Sequence, residues 1–317
     1  MRIAIAALLA GSALIASCNQ TTGAAADPKA SSRYTFWRPA PVEDATEPSD
    51  VIASAPAEAW REVDPSNLLV LDLKDGNRVV IELTGDFAPI HVANIKALAR
   101  AGYWNGAAIY RVQDNYVSQW GVNETEKPLP AGVVEKPPAE YHRPLAGLDV
   151  RPLGYPDSYA PSVGYVNGWP VGYDPERGSA WLTHCYGSVG VGRGLAPDTG
   201  MGGELYAVIG HAPRHLDLNI ALVGRVIDGM QYLTARPRGT EALGFYKDRA
   251  QDIGIFSVRL AADMPETGRP RYEVMRTDHE VFSAYLTGRA NRSNPFFERP
   301  TGGVDLCNAL VPTRRKG

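Results

Sequence analysis

The chain has 317 residues, 44% of them hydrophobic, enough for a sizeable core in one large domain or two small ones. Lys and Arg total 32 against 35 Asp and Glu, a net charge of −3. That near balance argues against a nucleic-acid partner, which calls for a basic excess or patch. The 32 glycines and 25 prolines favour a turn-rich, mainly β protein over a helical bundle.

The N-terminus reads as a targeting segment. Arg2 precedes an apolar run over 3–15, too short to span a membrane as a mature helix, and Ala16-Ser17 lead into Cys18. Small residues just before a cysteine resemble a bacterial lipoprotein signal. Residues 1–18 are therefore expected to be a signal peptide, with Cys18 lipidated and anchoring the protein to the membrane. An ordinary secretory signal with an incidental Cys18 is the alternative. Either reading takes the chain out of the cytoplasm, and the periplasm is the expected compartment. There Cys185 and Cys307 are expected to form a disulfide, the only pairing left once Cys18 is lipidated; two free thiols are the alternative.

Residues 19–66 are rich in Ala, Pro, Thr, Ser and Asp and lack periodicity, so they are expected to be a tether. Tyr34, Phe36, Trp37 and Trp60 either dock on the body or stay free with it. Structure is expected to begin at Asn67. Two β-rich runs, LLVLDL from Leu68 and RVVIEL from Arg78, flank Asp75-Gly76 and predict a hairpin. Pro89 suits a first helical turn, Val92, Ile95, Leu98 and Ala99 form one apolar stripe, and Gly102 ends the helix. The stretch at 107–121, AAIYRVQDNYVSQWG, then reads as a short hairpin. It brings Arg111, Tyr116 and Gln119 near one another. Strand periodicity puts Tyr116 and Ser118 on one face and Val117 and Gln119 on the other.

Residues 122–186 are crowded with proline and aromatic residues. A disordered linker would lack so many aromatics, so an ordered, irregular insertion over the body is expected. The glycine-rich run at 187–203 invites a phosphate-loop reading but lacks both Gly-Lys-Ser/Thr and GxGxxG. A strand is expected over 204–209. His211 and His215 have metal-like spacing, but Pro213 breaks the helix that spacing needs, and no metal is expected. Residues 214–230 lead to Gly229-Met230 and a short second helix over 230–235. A last strand is expected over 253–260, and a helix over 277–289 within a C-terminal extension, 265–317.

The order hairpin, helix, Ala-Gly-Tyr-Trp-Asn-Gly and the 107–121 stretch resembles the first half of a cyclophilin. Glu204-Leu205-Tyr206 and the segment His215-Leu216-Asp217 to Gly229-Met230 resemble its second half. The resemblance covers roughly 68–122 and 187–260. It implies a cyclophilin-like closed antiparallel eight-stranded barrel capped by two helices, a domain over 67–264 with its insertion at 122–186. It also implies a peptidyl-prolyl cis-trans isomerase that needs no cofactor and acts on unfolded or proline-containing protein segments in the cell envelope. The alternative is a catalytically weak module of the same fold that binds proline-containing partners.

By the same resemblance, Arg111 takes the place of the catalytic arginine and Gln119 that of the glutamine orienting it. Tyr116, Val117 and Tyr206 match the proline pocket, with Val223 another wall. Gly192 and Arg193 match the edge that binds substrate backbone, and His215 stands where many members carry tryptophan. Glu204 replaces a pocket glutamine and adds a negative charge that could pair with Arg111. Ile220 stands where histidine is common. A hydrolase using Ser188 or Cys185 would need a nucleophile elbow, and none is present.

Overall fold

The structure, a computed structural model, describes Val42 and residues 44–122 and 127–317. The expected signal peptide, Cys18 and the aromatics at 34–37 lie outside the described residues. Order begins well before Asn67. Helix α1 (Pro48–Ser54) starts on a proline in its first turn, and strand β1 (Trp60–Glu62) follows, with Trp60 buried. From 48 onward the expected tether is therefore part of the folded body.

Strands β2 (Leu68–Leu73) and β3 (Arg78–Leu83) form the expected hairpin, with Gly76 at φ 86° in its turn. Helix α2 (Pro89–Arg100) lays Val92, Ile95, Leu98 and Ala99 against the main core. It ends at Gly102, φ 62°. Strands β4 (Ala108–Val112) and β5 (Val117–Gly121) form the second hairpin.

The insertion is more regular than expected. It holds β6 (Arg143–Pro144), β7 (Arg151–Pro152), β8 (Ser162–Val166), β9 (Trp169–Asp174) and β10 (Ser179–Leu182) in one five-stranded sheet, ordered β6-β10-β9-β8-β7. Pro144 and Pro152 sit in its two-residue edge strands, where the missing N–H breaks little, and Pro170 lies in the central strand β9, next to its first residue. Trp169, Val171 and Leu182 pack with Phe87 and Leu222 of the body.

Strands β11 (Ser188–Val191), β12 (Glu204–Val208), β13 (Leu222–Asp228) and β14 (Ile253–Leu260), with the short helix α3 (Gln231–Thr234), complete the body. The barrel closes in the order β11-β12-β5-β4-β14-β2-β3-β13, every pairing antiparallel. It is the mainly β, eight-stranded barrel the sequence led us to expect.

The C-terminal extension holds β15 (Tyr272–Met275), helix α4 (Glu280–Ala290) and β16 (Thr313–Arg315). Strand β15 pairs with both β1 and β16, so the N-terminal arm and the tail share a sheet. Together they cover the outside of β2 and β3. Leu69, Leu71, Val79 and Ile81 fill the barrel, while Leu68, Val70 and Val80 join a second core with Trp60, Tyr272 and Phe282. Burial on both faces explains why LLVL is apolar at every position instead of alternating.

One charge lies under this cover. Glu82 is 2% exposed. It accepts from Arg61 of β1 at 2.6 Å and from Arg225 of β13 at 2.7 Å. Arg225 also lies 4.4 Å from the centre of the Trp169 ring, so arm, barrel and insertion meet at this carboxylate. The structure joins Cys185, at the end of the insertion, to Cys307 in the tail by a disulfide.

Candidate active site

The β4–β5 hairpin carries a bulge. Ile109 faces Trp120 and Arg111 faces Gln119, so two residues of β4, Tyr110 and Arg111, stand opposite Gln119 alone. Plain alternation would have sent Tyr110 to the other face. Instead both side chains reach the same amide: Arg111 Nη1 donates to Gln119 Oε1 at 2.7 Å, and Gln119 Nε2 donates to the Tyr110 hydroxyl at 2.8 Å. The amide orientation follows, because guanidinium donates only and must meet the oxygen.

Two further acceptors hold Arg111. Its Nη2 donates to Gln113 Oε1 and its Nε to the Leu243 carbonyl. Aromatic rings flank it, Tyr116 at 5.9 Å and Phe245 at 5.5 Å from the guanidinium carbon. Burial pulls its pKa down, and the nearby tyrosines and Glu204 oppose that pull.

The groove beside this arginine has a volume of about 320 Å³. Pairing of β5 with β12 sets Gln119 opposite Tyr206 and Val117 opposite Val208. Val117 and Tyr206 form the floor with Val208 behind, and Tyr116 and Ile220 pack beside them. Their neighbours Trp120, Leu205 and Ala207 point the other way, into the barrel. One strand pair thus builds the core on one face and the groove on the other.

The Tyr206 ring lies over Gly190, a place a Cβ would occupy. Its hydroxyl stands 2.9 Å from His184 Nε2, and His184 Nδ1 stands 2.9 Å from Asp217 Oδ1. A carboxylate only accepts, so Nδ1 carries the proton and Nε2 accepts from tyrosine. Burial lowers the His184 pKa, against the pull of Asp217, and burial raises that of Tyr206. Arg214 binds Asp217 at 2.6 Å and Asp157 of the insertion at 2.9 Å. A run of buried polar contacts therefore ties the insertion to the groove floor.

Arg111, Gln119, Tyr116, Val117, Gly192, Arg193, Glu204 and Tyr206 all line this groove. The Arg193 guanidinium is turned onto the carbonyls of Asn219 and Gly194. Two expected wall residues do not line it. Val223 is fully buried in the barrel core: the register of β13 against β11 shifts between Gly224 and Leu222, and this bulge turns Val223 inward although Arg225, two residues on, points outward. His215 is exposed, its ring parallel to that of Tyr116 with centroids 6.3 Å apart, and it is not among the residues that line the groove. Glu204 forms no ion pair with Arg111; it accepts from Gln119 Nε2 at 3.2 Å. Among the described residues no group of three His, Cys, Asp or Glu is placed to hold a metal.

Sequence reasoning missed Tyr110, Gln113, Leu216, Leu243 and Phe245. The last two come from 236–252, a segment without periodicity that returns to Arg111 through a bridge between Arg111 and Phe245. Only the bulge brings in Tyr110.

A family model described as cyclophilin type peptidyl-prolyl cis-trans isomerase/CLD matches residues 69–255. A Brucella suis protein named as a probable peptidyl-prolyl cis-trans isomerase is 30% identical over 179 residues, covering 56% of this chain and 76% of that protein. Peptidyl-prolyl cis-trans isomerase B of Bacillus subtilis is 43% identical over 49 residues, 16% of this chain and 34% of that protein. The crystal structure of cyclophilin AquaCyp293 from Hirschia baltica matches with a TM-score of 0.66 at 25% identity, over 84% of this chain and 96% of that one.

Proposed function

The chain belongs to the cyclophilin-type peptidyl-prolyl cis-trans isomerase family, and from that premise we propose that it turns X-Pro bonds of protein segments in the cell envelope, with Arg111 as the catalytic donor. The observation that carries the assignment to Arg111 is its fixed position over an apolar floor. A prolyl amide rotates slowly because its resonance must be broken, at a cost of roughly 18–20 kcal/mol. In the twisted state the nitrogen regains a lone pair and the carbonyl loses polarity. A donor aimed at that nitrogen stabilises the twisted state and not the planar one, which is what lowers a barrier.

Arg111 has five N–H groups. Its bonds to Leu243, Gln119 and Gln113 engage one on each nitrogen. One N–H on each terminal nitrogen is left for substrate. Val117, Tyr206, Leu216 and Ile220 supply the dry surface that receives the pyrrolidine ring. Gln119 holds Arg111 in place and so acts by positioning. No covalent step is involved, and every group on the site either donates, orients or excludes water.

The envelope assignment rests on the sequence at 1–18 and on the Cys185–Cys307 disulfide, a bond suited to an oxidising compartment. Among the described residues no helix is long and apolar enough to cross a membrane, and Cys18 supplies the anchor in this reading.

Arg111→Ala tests the catalytic assignment. The expected loss in kcat/KM on a short proline peptide is about a hundred- to a thousandfold, with an unchanged circular dichroism spectrum. A folded variant that keeps the wild-type rate would remove Arg111 from the mechanism. Cys18→Ser tests the anchor, and it should move the protein from the membrane fraction to the soluble periplasm.

A further inference from the structure

Glu204 opens β12, and its side chain lies across Gly121, where an added Cβ would come within 2.9 Å of its Cγ. The carboxylate borders three spaces, and the one lined by Lys136, Arg193 and Asp198 lies beside Gly192; the other two flank the catalytic hairpin. One is the groove beside Arg111. The other is a more polar recess of about 680 Å³, bounded by Tyr110, Phe245, Tyr246 and Asp252. Tyr110 and Phe245 stack at 6.0 Å between centroids and are nearly parallel.

None of the cations near Glu204 is paired with it: Arg193 is turned onto the carbonyls of Asn219 and Gly194, and among the described residues Lys136, which borders a neighbouring space, forms no ion pair with it. Arg111 spends its fixed bonds on Gln119, Gln113 and the Leu243 carbonyl. Lys127 binds the carbonyls of Gly102 and Tyr103. Arg249 pairs with Asp252 at 3.4 Å. Among the described residues Glu204 takes part in no ion pair, and the donors on it are neutral, the Gln119 amide and the Tyr110 hydroxyl. A half-sheltered carboxylate with no cation bonded to it gains when one arrives, and the Tyr110 and Phe245 rings favour a cation beside them.

We propose that Glu204 sets substrate choice, selecting proline segments with a lysine or arginine next to the proline, whose cationic side chain enters the space between Glu204, Tyr110 and Phe245. The proposal rests on the groove being the isomerase site. It names a substrate class for that site: flexible, basic, proline-containing segments. The gain belongs to a partly exposed ion pair, so the selectivity is roughly fivefold in kcat/KM and weakens as salt screens it.

The test uses one proline peptide with Lys, Ala or Glu placed directly before, and then directly after, the proline. Wild-type protein and Glu204→Gln are compared at low and high salt. The expected result is a wild-type order of Lys over Ala over Glu at one of the two positions, shrinking at high salt. In Glu204→Gln the Lys-to-Ala ratio falls to about one, whatever that variant does to the absolute rate. A wild-type ratio near one at both positions, or a ratio unchanged in Glu204→Gln, overturns the selectivity. The Ala peptide reports separately on the isomerase itself: turnover of Ala with a flat ratio sinks only the selectivity. Wild-type protein inactive on all the peptides sinks the underlying assignment as well.

Discussion

The hydroxyl of Tyr206 and Nε2 of His184 lie 2.9 Å apart, and that contact fixes the ring on which a substrate proline would rest. His184 is fully buried, held from behind by Asp217, and Asp217 is held in turn by Arg214. The groove floor is therefore anchored by groups that never touch substrate.

Tyr206→Phe removes the donor and leaves a buried ring nitrogen unpaired, a loss of about 1–3 kcal/mol in stability. The ring itself remains, so KM is expected to rise while kcat changes little. Steady-state kinetics together with urea denaturation check both halves. An equal fall in kcat would show that the hydroxyl takes part in the rotation itself.

Acid should weaken the fold through His184. Burial lowers its folded pKa, so the unfolded chain binds the proton more readily. The contribution is complete above the unfolded value, about 6.5, and is lost as pH falls from there towards the folded value. Urea midpoints measured between pH 7.5 and pH 5 should drop more for wild type than for His184→Gln. Parallel curves would contradict this.

Gly190→Ala would drive a methyl group into the Tyr206 ring and hydroxyl. Overpacking of this kind costs about 1–3 kcal/mol, and the displaced floor should raise KM. Combined with Tyr206→Phe, the total cost should be smaller than the sum, because both changes act on one side chain. Strict additivity would mean the two positions are independent.

The disulfide closes a loop across 122 positions of sequence. By loop entropy, losing it should cost about 4–5 kcal/mol. Cys307→Ser should show this as a lower denaturation midpoint. The effect should match reduction of the wild type, since both open the same link between insertion and tail.

Glu82 carries two arginines at once under the terminal cover. Glu82→Gln leaves both cations buried or half-buried without their counter-charge, and a loss of about 3–5 kcal/mol is expected. Thermal melting checks it. A near-neutral result would mean that Arg61 and Arg225 find water when released.

What could be read from the chain alone was whatever neighbouring residues decide among themselves. β-rich runs marked β2 and β3, alternation marked the strands near 117–121 and 253–260, Asp75-Gly76 marked a turn, and a three-four stripe marked α2. The hairpin at 107–121 brought Arg111 and Gln119 near each other, and the resemblance to cyclophilins assigned them their roles. Three matters were settled only in space. The bulge at Tyr110 is a packing outcome with no local signature, and it reassigns a side chain from one face to the other. Phe245 and Leu243 reach Arg111 from more than 130 positions away, and short-range periodicity carries no record of such returns. Val223 sits in the core because the phase of β13 is set by its partners β3 and β11. The arm looked unstructured, and the tail offered only its helix at 277–289, which the structure has as α4, for a related reason: each is too short to bury its own apolar residues, and they become ordered by sharing one core over the outer face of β2 and β3.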